Sequence, residues 1–135
     1  MKRKVLMSIK PKYVDEILKG TKLFEFRKTV FDYSNIDSVV IYASSPVKMI
    51  VGEFNVDDVL IDNPKSLWER CHEHSGIDKE SFMKYFENKD KAFSIVIKNL
   101  TIYKKPINPY KEITNFRPPQ SYMYFNDKLD SIFNH

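Results

Sequence analysis

The sequence is poor in cysteine and has no long hydrophobic run, and both features exclude classes of protein. Its single cysteine, Cys71, cannot form an internal disulfide, which fits a reducing compartment. No apolar run approaches the roughly 18 residues that a membrane-spanning helix needs. The N-terminus is basic but lacks the apolar core of a signal peptide. We therefore expect a cytoplasmic protein that does not enter the membrane.

Glycines and metal-binding residues are also scarce. With three glycines, the chain has no glycine-rich loop of the kind that cradles a phosphate. Cys71, His72 and His74 stand close together, but they cannot all face one ion from a single helix end, and no fourth ligand follows at a zinc spacing. Solvent-exposed helix ends explain these residues better. We therefore predict no metal site and no cofactor.

The chain does contain enough apolar sequence for one core. Hydrophobic residues make up 42% of its 135 residues and charged residues 30%, a balance typical of a folded soluble protein. A chain of this length buries a core without disulfides or metals. No repeat or low-complexity linker divides it. We predict a single domain over residues 1–135, in which residues 126–135 are a C-terminal tail.

Positive charge is concentrated at the start of the chain. Residues 1–28 contain nine Lys or Arg and three Asp or Glu, a balance of +6, whereas the remainder has thirteen against fifteen, a balance of −2. Such an imbalance favours a polyanionic partner, because each phosphate contacted by Lys or Arg releases counterions. A lysine-rich composition is equally typical of proteins whose surface charge serves solubility. Charge alone leaves both interpretations open.

Residue patterns predict a chain with more strands than helices. Pro11 suits the first turn of a helix, Gly20 suits the left-handed residue that ends it, and Asp78 is a candidate N-cap. We predict helices over residues 11–19, 63–71 and 78–86. We predict strands over residues 4–9, 22–28, 38–43, 49–56, 92–98 and 121–125.

These elements favour an α+β domain built on a strongly curved, mostly antiparallel sheet or small barrel. The strands over residues 38–43 and 49–56 are expected to pair as a hairpin, and residues 100–103 to extend the next strand until Pro106 and Pro109 interrupt it. The early helix flanks the sheet, and the later two helices form one helical insertion.

The strand predicted over residues 22–28 carries charges inside an otherwise apolar run. Strand alternation places Glu25 and Arg27 on one face, close enough to interact, and the two phenylalanines on the other. One interpretation is a structural ion pair. The other is a ligand site, in which Arg27 donates to a phosphate or a base edge and Glu25 accepts from an exocyclic amine.

The ordered set of segments resembles the ASCH domain family of the PUA-like superfamily, and most closely its branch of predicted transcriptional regulators. The resemblance covers roughly residues 4–125, and no helix-turn-helix accompanies it in this sequence. It rests on Gly20-x-Lys22-x-x-Glu25-x-Arg27, Gly52-Glu53-Phe54 and the runs 42–48 and 118–121. It implies a small PUA-like β-barrel with a cleft beside the first helix, which binds RNA or a nucleotide-like ligand, and hydrolytic chemistry in some members.

Candidate ligand contacts follow from the residues and the resemblance together. Lys10 lies at a helix start, where free N–H groups suit an anion, whereas Lys12 is expected to be solvated. The complete set of candidate ligand-binding residues is Lys10, Lys22, Glu25, Arg27, Ser44, Ser45, Lys48, Gln120 and Ser121. Candidates for stacking on unpaired bases are Tyr42, Phe116, Tyr122 and Tyr124.

Three residues are candidates for catalysis: Lys22, Glu25 and Glu53. Some ASCH members resemble amidohydrolases acting on an acylated cytidine, where a lysine, a threonine and a glutamate cooperate. Lys22 matches that lysine, but Glu25 occupies the position of the threonine, so the nucleophilic hydroxyl is missing. RNA cleavage fits better, because the RNA supplies its own 2′-OH and Lys22 and Arg27 stabilise charge.

We therefore favour an RNA- or nucleotide-binding domain. The branch of the family that the chain resembles most closely adds the expectation of a regulatory role. The alternative is a small hydrolase acting on single-stranded RNA or modified nucleosides. A protein-interaction module is a third hypothesis, which a large exposed apolar patch would favour.

Overall fold

The computed structural model describes residues 3–133, which form a six-stranded sheet with helices packed around it. The strands are β1 (Arg3–Ile9), β2 (Phe24–Arg27), β3 (Ile36–Ala43), β4 (Met49–Asp62), β5 (Ala92–Ile107) and β6 (Tyr122–Tyr124). The α-helices are α1 (Pro11–Lys19), α2 (Pro64–Cys71), α3 (Lys79–Tyr85), α4 (Pro109–Glu112) and α5 (Asp127–Phe133). None of the helices within residues 3–133 is long and apolar enough to cross a membrane.

The sheet has the strand order β2-β5-β4-β3-β1-β6. Only the β1–β3 pair is parallel among the described strands, and the expected hairpin forms between β3 and β4. The register shifts within β3–β4 and repeatedly within β4–β5. Because such irregularities bend strands and increase twist, the sheet curls into a half-barrel. The predicted α+β fold with a curved, mostly antiparallel sheet is confirmed.

Helix α1 connects β1 to the rest of the sheet and forms as its sequence predicts. Pro11 occupies its first turn, and Gly20 ends it with a φ of 81°. Val14 and Ile17 face the main core and are 3% and 1% exposed. This packing fixes the β1–α1 junction at Lys10 beside the sheet.

The helical insertion between β4 and β5 builds a second core against β2. Asp78 caps α3 as predicted, its side chain accepting a hydrogen bond from the backbone N–H of Ser81. Phe26 of β2 packs edge-on against Phe82 of α3 at 5.0 Å between ring centroids. The expectation that Cys71 lies at an exposed helix end is wrong, because it faces this second core and is 1% exposed.

Two expectations about the second half of the chain are also wrong. Strand β5 continues through Pro106 to Ile107. Its ladder with β4 is irregular there, since Ile107 pairs with Ile50 and Ile102 with Gly52, and proline is tolerated where a strand bulges.

The second concerns the expected tail over residues 126–135. Most of it forms α5, in which Leu129 and Ile132 are buried against a separate hydrophobic cluster. Residues 134–135 lie outside the described part of the chain.

Candidate functional site

A cavity of about 710 Å³ opens between the β1–α1 junction, β2, the turn after β3, α3 and the segment before β6. Its volume falls within the range of roughly 300–1,000 Å³ typical of small-molecule sites. Of the candidate ligand-binding residues, it brings together Lys10, Lys22, Glu25, Arg27, Ser44, Ser45, Lys48 and Gln120. Ser121 does not line the cavity, but its hydroxyl accepts a hydrogen bond from Arg27.

Glu25 and Arg27 form an ion pair at the inner end of the cavity. Arg27 Nη2 lies 2.8 Å from Glu25 Oε2, and the side chains of Arg27 and Glu25 are 12% and 7% exposed respectively. Arg27 also donates through Nη2 to the Ser8 carbonyl at 2.9 Å and through Nη1 to Ser121 Oγ at 3.3 Å. The guanidinium therefore ties β2 to β1 and to the segment that leads into β6. This geometry favours a structural, positioning role for Arg27.

Lys22 is 2% exposed, although it carries a charge. Its Nζ donates to the Ser75 carbonyl at 2.6 Å and lies 4.7 Å from the Phe26 ring centroid and 5.3 Å from that of Tyr13. Burial lowers the pKa of Lys22 below its ordinary value of 10.5, with the positive charge of Arg27 acting in the same direction and Glu25 opposing it. The cavity thus has a buried ammonium near its buried carboxylate.

The loop that holds Lys22 requires a glycine. Gly76 has a φ of +67°, and a Cβ at this position would lie 2.6 Å from Lys22 Cβ. The side-chain carbons of Lys22 therefore pack directly against the backbone of the loop between α2 and α3. The insertion therefore takes part in forming the cavity.

Four exposed lysines line the cavity. They are Lys10, Lys12, Lys48 and Lys84, which we call the rim lysines. Lys12 is solvated, as the sequence predicts, but it also lines the cavity. Among the described residues that line the cavity, Glu25 is the only acidic one. The cavity is therefore lined by four exposed lysines together with the largely buried Glu25–Arg27 ion pair.

A pair of tyrosines lies at another part of the cavity wall. The hydroxyls of Tyr42 and Tyr110 are 2.7 Å apart, and Phe116 packs against both rings at 5.9 and 5.2 Å between centroids. Burial, followed by the hydrogen bond to Tyr110, raises the pKa of Tyr42 well above its ordinary value. The Tyr42 phenol therefore stays protonated at neutral pH, and the pair can donate a hydrogen bond to a ligand.

The other stacking candidates lie away from the cavity. Tyr122 packs edge-on against Phe31 at 5.4 Å, and the Tyr124 hydroxyl accepts a hydrogen bond from the Asp32 backbone. Arg3 lies over the Tyr124 ring at 4.6 Å. Neither tyrosine lines the cavity. Their contacts are those of structural residues at the sheet edge.

Glu53 does not join Lys22 and Glu25. It accepts hydrogen bonds from Lys4 at 3.1 Å and Tyr103 at 2.8 Å and does not line the cavity. Burial alone would raise the pKa of Glu53, but the hydrogen bonds from Tyr103 and Lys4 and the charge of Lys4 lower it. The three candidate catalytic residues therefore do not form one constellation.

Several cavity residues have no signal in the sequence that points to a site. Lys84 and Tyr85 come from α3, which the sequence predicts only as a helix, and Tyr110 comes from α4, which it does not predict. Tyr13 belongs by pattern only to the apolar stripe of α1. These residues reach the cavity because elements distant in sequence pack together. No local sequence pattern therefore identifies them as site residues. Within the described residues, no cluster of three or more His, Cys, Asp or Glu could hold a metal ion.

Known proteins share this fold and parts of this sequence. An ASCH-domain-containing ribonuclease from Zymomonas mobilis subsp. mobilis is 28% identical over 126 residues, covering 89% of this chain and 82% of that protein. The crystal structure of the ASCH protein from Zymomonas mobilis superposes with a TM-score of 0.85 at 24% identity, covering 97% of this chain and 93% of that one. The N-terminal domain of Staphylothermus marinus McrB has a TM-score of 0.53 at 15% identity, covering 87% and 82% of the two chains.

A partial match extends to a larger protein. The large ribosomal subunit protein uL22 of Ureaplasma parvum is 34% identical over 86 residues, which is 64% of this chain and 27% of that protein. The structural likenesses, at under 25% identity, establish the fold. The family model for the ASCH domain matches residues 7–106, most of the chain. This chain therefore belongs to the ASCH domain family.

Proposed function

We propose that this ASCH domain binds single-stranded RNA, or a nucleotide derived from it, in the cavity between α1, α3 and the sheet. The observation that carries the proposal is the set of four exposed lysines, Lys10, Lys12, Lys48 and Lys84, that line a cavity of about 710 Å³. Ammonium groups at the rim suit phosphates, whose contact releases counterions and makes binding salt-dependent. The proposal is also supported by a relative named as a ribonuclease, with which the chain shares most of its length.

Salt-dependent binding tests this proposal. Fluorescence anisotropy of a labelled single-stranded RNA is measured at several potassium chloride concentrations for the wild type and for Lys84→Ala. Lys79→Ala is the matched control, because Lys79 is an exposed lysine on the same helix that does not line the cavity. The logarithm of the binding constant should decrease with the logarithm of the salt concentration. We expect the magnitude of this negative slope to be smaller by about 0.7 for Lys84→Ala than for the wild type. Absence of RNA binding, or equal effects of both substitutions, would contradict the proposal.

A second candidate function is cleavage of the bound RNA, which the name of the Zymomonas relative favours. In this reaction the 2′-oxygen attacks the adjacent phosphorus, a base accepts the 2′-OH proton, and an acid protonates the departing 5′-oxygen. The products are a 2′,3′-cyclic phosphate and a 5′-hydroxyl. The Tyr42–Tyr110 pair supplies a hydrogen-bond donor, and the exposed lysines that line the cavity add positive charge near the reacting phosphate.

The cleavage candidate is tested with labelled RNA and the same oligonucleotide carrying a single 2′-deoxy residue. We expect cleavage at every accessible linkage except the one that lacks its 2′-OH, with cyclic phosphate ends. Cleavage at the deoxy linkage would contradict this mechanism. Binding without turnover would leave the domain as an RNA-binding domain alone.

Amidohydrolase chemistry is not part of the proposal. Glu25 stands where that chemistry needs a threonine, and Glu53 is bound to Lys4 and Tyr103 outside the cavity. A regulatory role and a cytoplasmic location stay predictions from the sequence.

A further inference from the structure

The charges of the cavity are divided between its rim and its inner end. The rim lysines are exposed, whereas Lys22 and Glu25 are 2% and 6% exposed. The buried Lys22 and Glu25 can each direct a hydrogen bond at a base edge, whereas the exposed rim lysines suit a phosphate, so we place the phosphate of a bound nucleotide at the rim. The inner end is then left to the base. This inference rests on the proposed RNA binding and adds which base enters.

The inner end has both acceptor and donor capacity left for a ligand. Arg27 Nη2 contacts Glu25 Oε2 at 2.8 Å, and a carboxylate has further lone pairs with which to accept hydrogen bonds from a ligand. Lys22 Nζ carries three donors and uses one on the Ser75 carbonyl. No direct ion pair joins Lys22 to Glu25 within the described part of the chain, although both line the cavity. A ligand edge that both accepts and donates can therefore bridge them.

The four RNA bases differ in how well they match this pair. Guanine has two adjacent donors, N1–H and the 2-amino group, for the carboxylate, and its O6 accepts from the ammonium. Adenine and cytosine bring one amino group and no neighbouring N–H. Uracil has one N–H between two carbonyls, so a carbonyl must face the carboxylate. Guanine leaves the fewest buried polar groups unpaired, which is the strongest basis for discrimination.

The walls suit a planar base. Tyr85 of α3 lines the cavity with 37% of its surface exposed, whereas the rings of Phe26 and Tyr13 already have Lys22 Nζ over them at 4.7 and 5.3 Å. Aromatic faces bind any unstacked base without regard to sequence, so they provide affinity while the polar pair provides selectivity. A base can reach this position only when it is unpaired, which a single strand permits.

We propose that the inner end of the cavity binds an unpaired guanine base, with Glu25 accepting from N1–H and the 2-amino group and Lys22 donating to O6. Arg27 is the positioning residue that orients the Glu25 carboxylate. The rim lysines hold the phosphates on either side of this guanosine.

Pentanucleotides of the form UUXUU test the proposal, with X as guanosine, inosine, adenosine, cytidine or uridine. Inosine lacks only the 2-amino group, so it isolates one predicted hydrogen bond. We expect the guanosine oligonucleotide to bind about tenfold more tightly than the inosine one and more tightly than the other three. Glu25→Gln should remove this preference, whereas Glu69→Gln, an exposed acid on α2, should keep it.

The wild-type comparison does not depend on whether Glu25→Gln folds. Equal affinity for all five oligonucleotides, with RNA binding intact, would overturn the guanine assignment and leave the proposed function standing. Binding of longer RNA without binding of any pentanucleotide would overturn the guanine assignment in the same way. Absence of binding to any RNA would overturn the proposed function itself.

Discussion

Arg27 Nη2 lies 2.8 Å from Glu25 Oε2, and the same guanidinium reaches Ser8 of β1 and Ser121 before β6. One side chain thus fixes the carboxylate at the inner end of the cavity and joins three segments that are distant in sequence. Arginine suits this position because its planar group presents several donors in a fixed geometry. The ion pair is accordingly both a structural contact and part of the candidate site.

Removing the guanidinium should be more harmful than removing the whole ion pair. We expect Arg27→Met to lower the free energy of unfolding by about 3 kcal/mol, because it leaves Glu25 buried without its partner. The double variant Glu25→Leu/Arg27→Met should recover a large part of that loss. Urea denaturation of the four proteins in this cycle measures both effects. Additive losses would show that the two residues are not energetically coupled.

Gly76 should be less replaceable than Gly20, although both have positive φ. A Cβ at Gly20 meets nothing within 4 Å, so Gly20→Ala should cost only the backbone strain of about 1 kcal/mol. Gly76→Ala should cost more, because its Cβ would lie 2.6 Å from Lys22 Cβ. Thermal and urea unfolding of the two variants provide the comparison. Equal losses would mean that the loop moves away from Lys22 without cost.

The buried ammonium of Lys22 should make stability rise with pH. Its pKa is lower in the folded state than the ordinary 10.5, so between these two values the unfolded chain binds more protons. As the pH rises through that range, the free energy of unfolding of the wild type should increase relative to that of Lys22→Met. Below that pH range the wild type bears the full cost of burying the charge. Urea unfolding of both proteins from neutral pH upward measures the difference in stability. A wild type that gains nothing on Lys22→Met as the pH rises would contradict the prediction.

Glu53 should contribute to stability and not to the cavity. Its lowered pKa means that its contribution is present above the ordinary value of 4.5 and is lost as the pH falls through the folded value. Glu53→Gln should therefore be less stable than the wild type at neutral pH, and the difference, measured by urea unfolding, should shrink in acid. RNA binding should stay unchanged. If Glu53→Gln lost RNA binding or cleavage while keeping the stability of the wild type, Glu53 would belong to the functional site.

Tyr85 should contribute to RNA affinity through stacking. Its loss removes an interaction of about 1–3 kcal/mol per base, so Tyr85→Ala should weaken RNA binding roughly tenfold. Tyr33→Ala is the matched control, because Tyr33 has a similar exposure, 36% against 37%, but does not line the cavity. Anisotropy titrations with the same RNA measure both. Equal affinities of the two variants would exclude Tyr85 from the interface.

Local sequence signals are sufficient to predict several of the helices and strands. Pro11 and Gly20 delimit α1, Asp78 caps α3, and strand alternation places Glu25 beside Arg27. Turn residues, caps and side-chain alternation act over a few residues, so they are readable without knowing the fold. The ordered ASCH segments also identify the family without a structure, because they depend only on residue identities and spacing.

Which residues share the cavity depends on how segments distant in sequence pack together. The depth at which Lys22 is buried depends on Ser75 and Gly76 in the insertion, more than fifty residues along the chain. Lys84 and Tyr85 reach the cavity because α3 docks against β2, whereas Glu53, which belongs to a family motif in the sequence, pairs with Lys4 and Tyr103 elsewhere. Burial and partnership arise from contacts between segments distant in sequence, and the packing of the whole curled sheet sets those contacts.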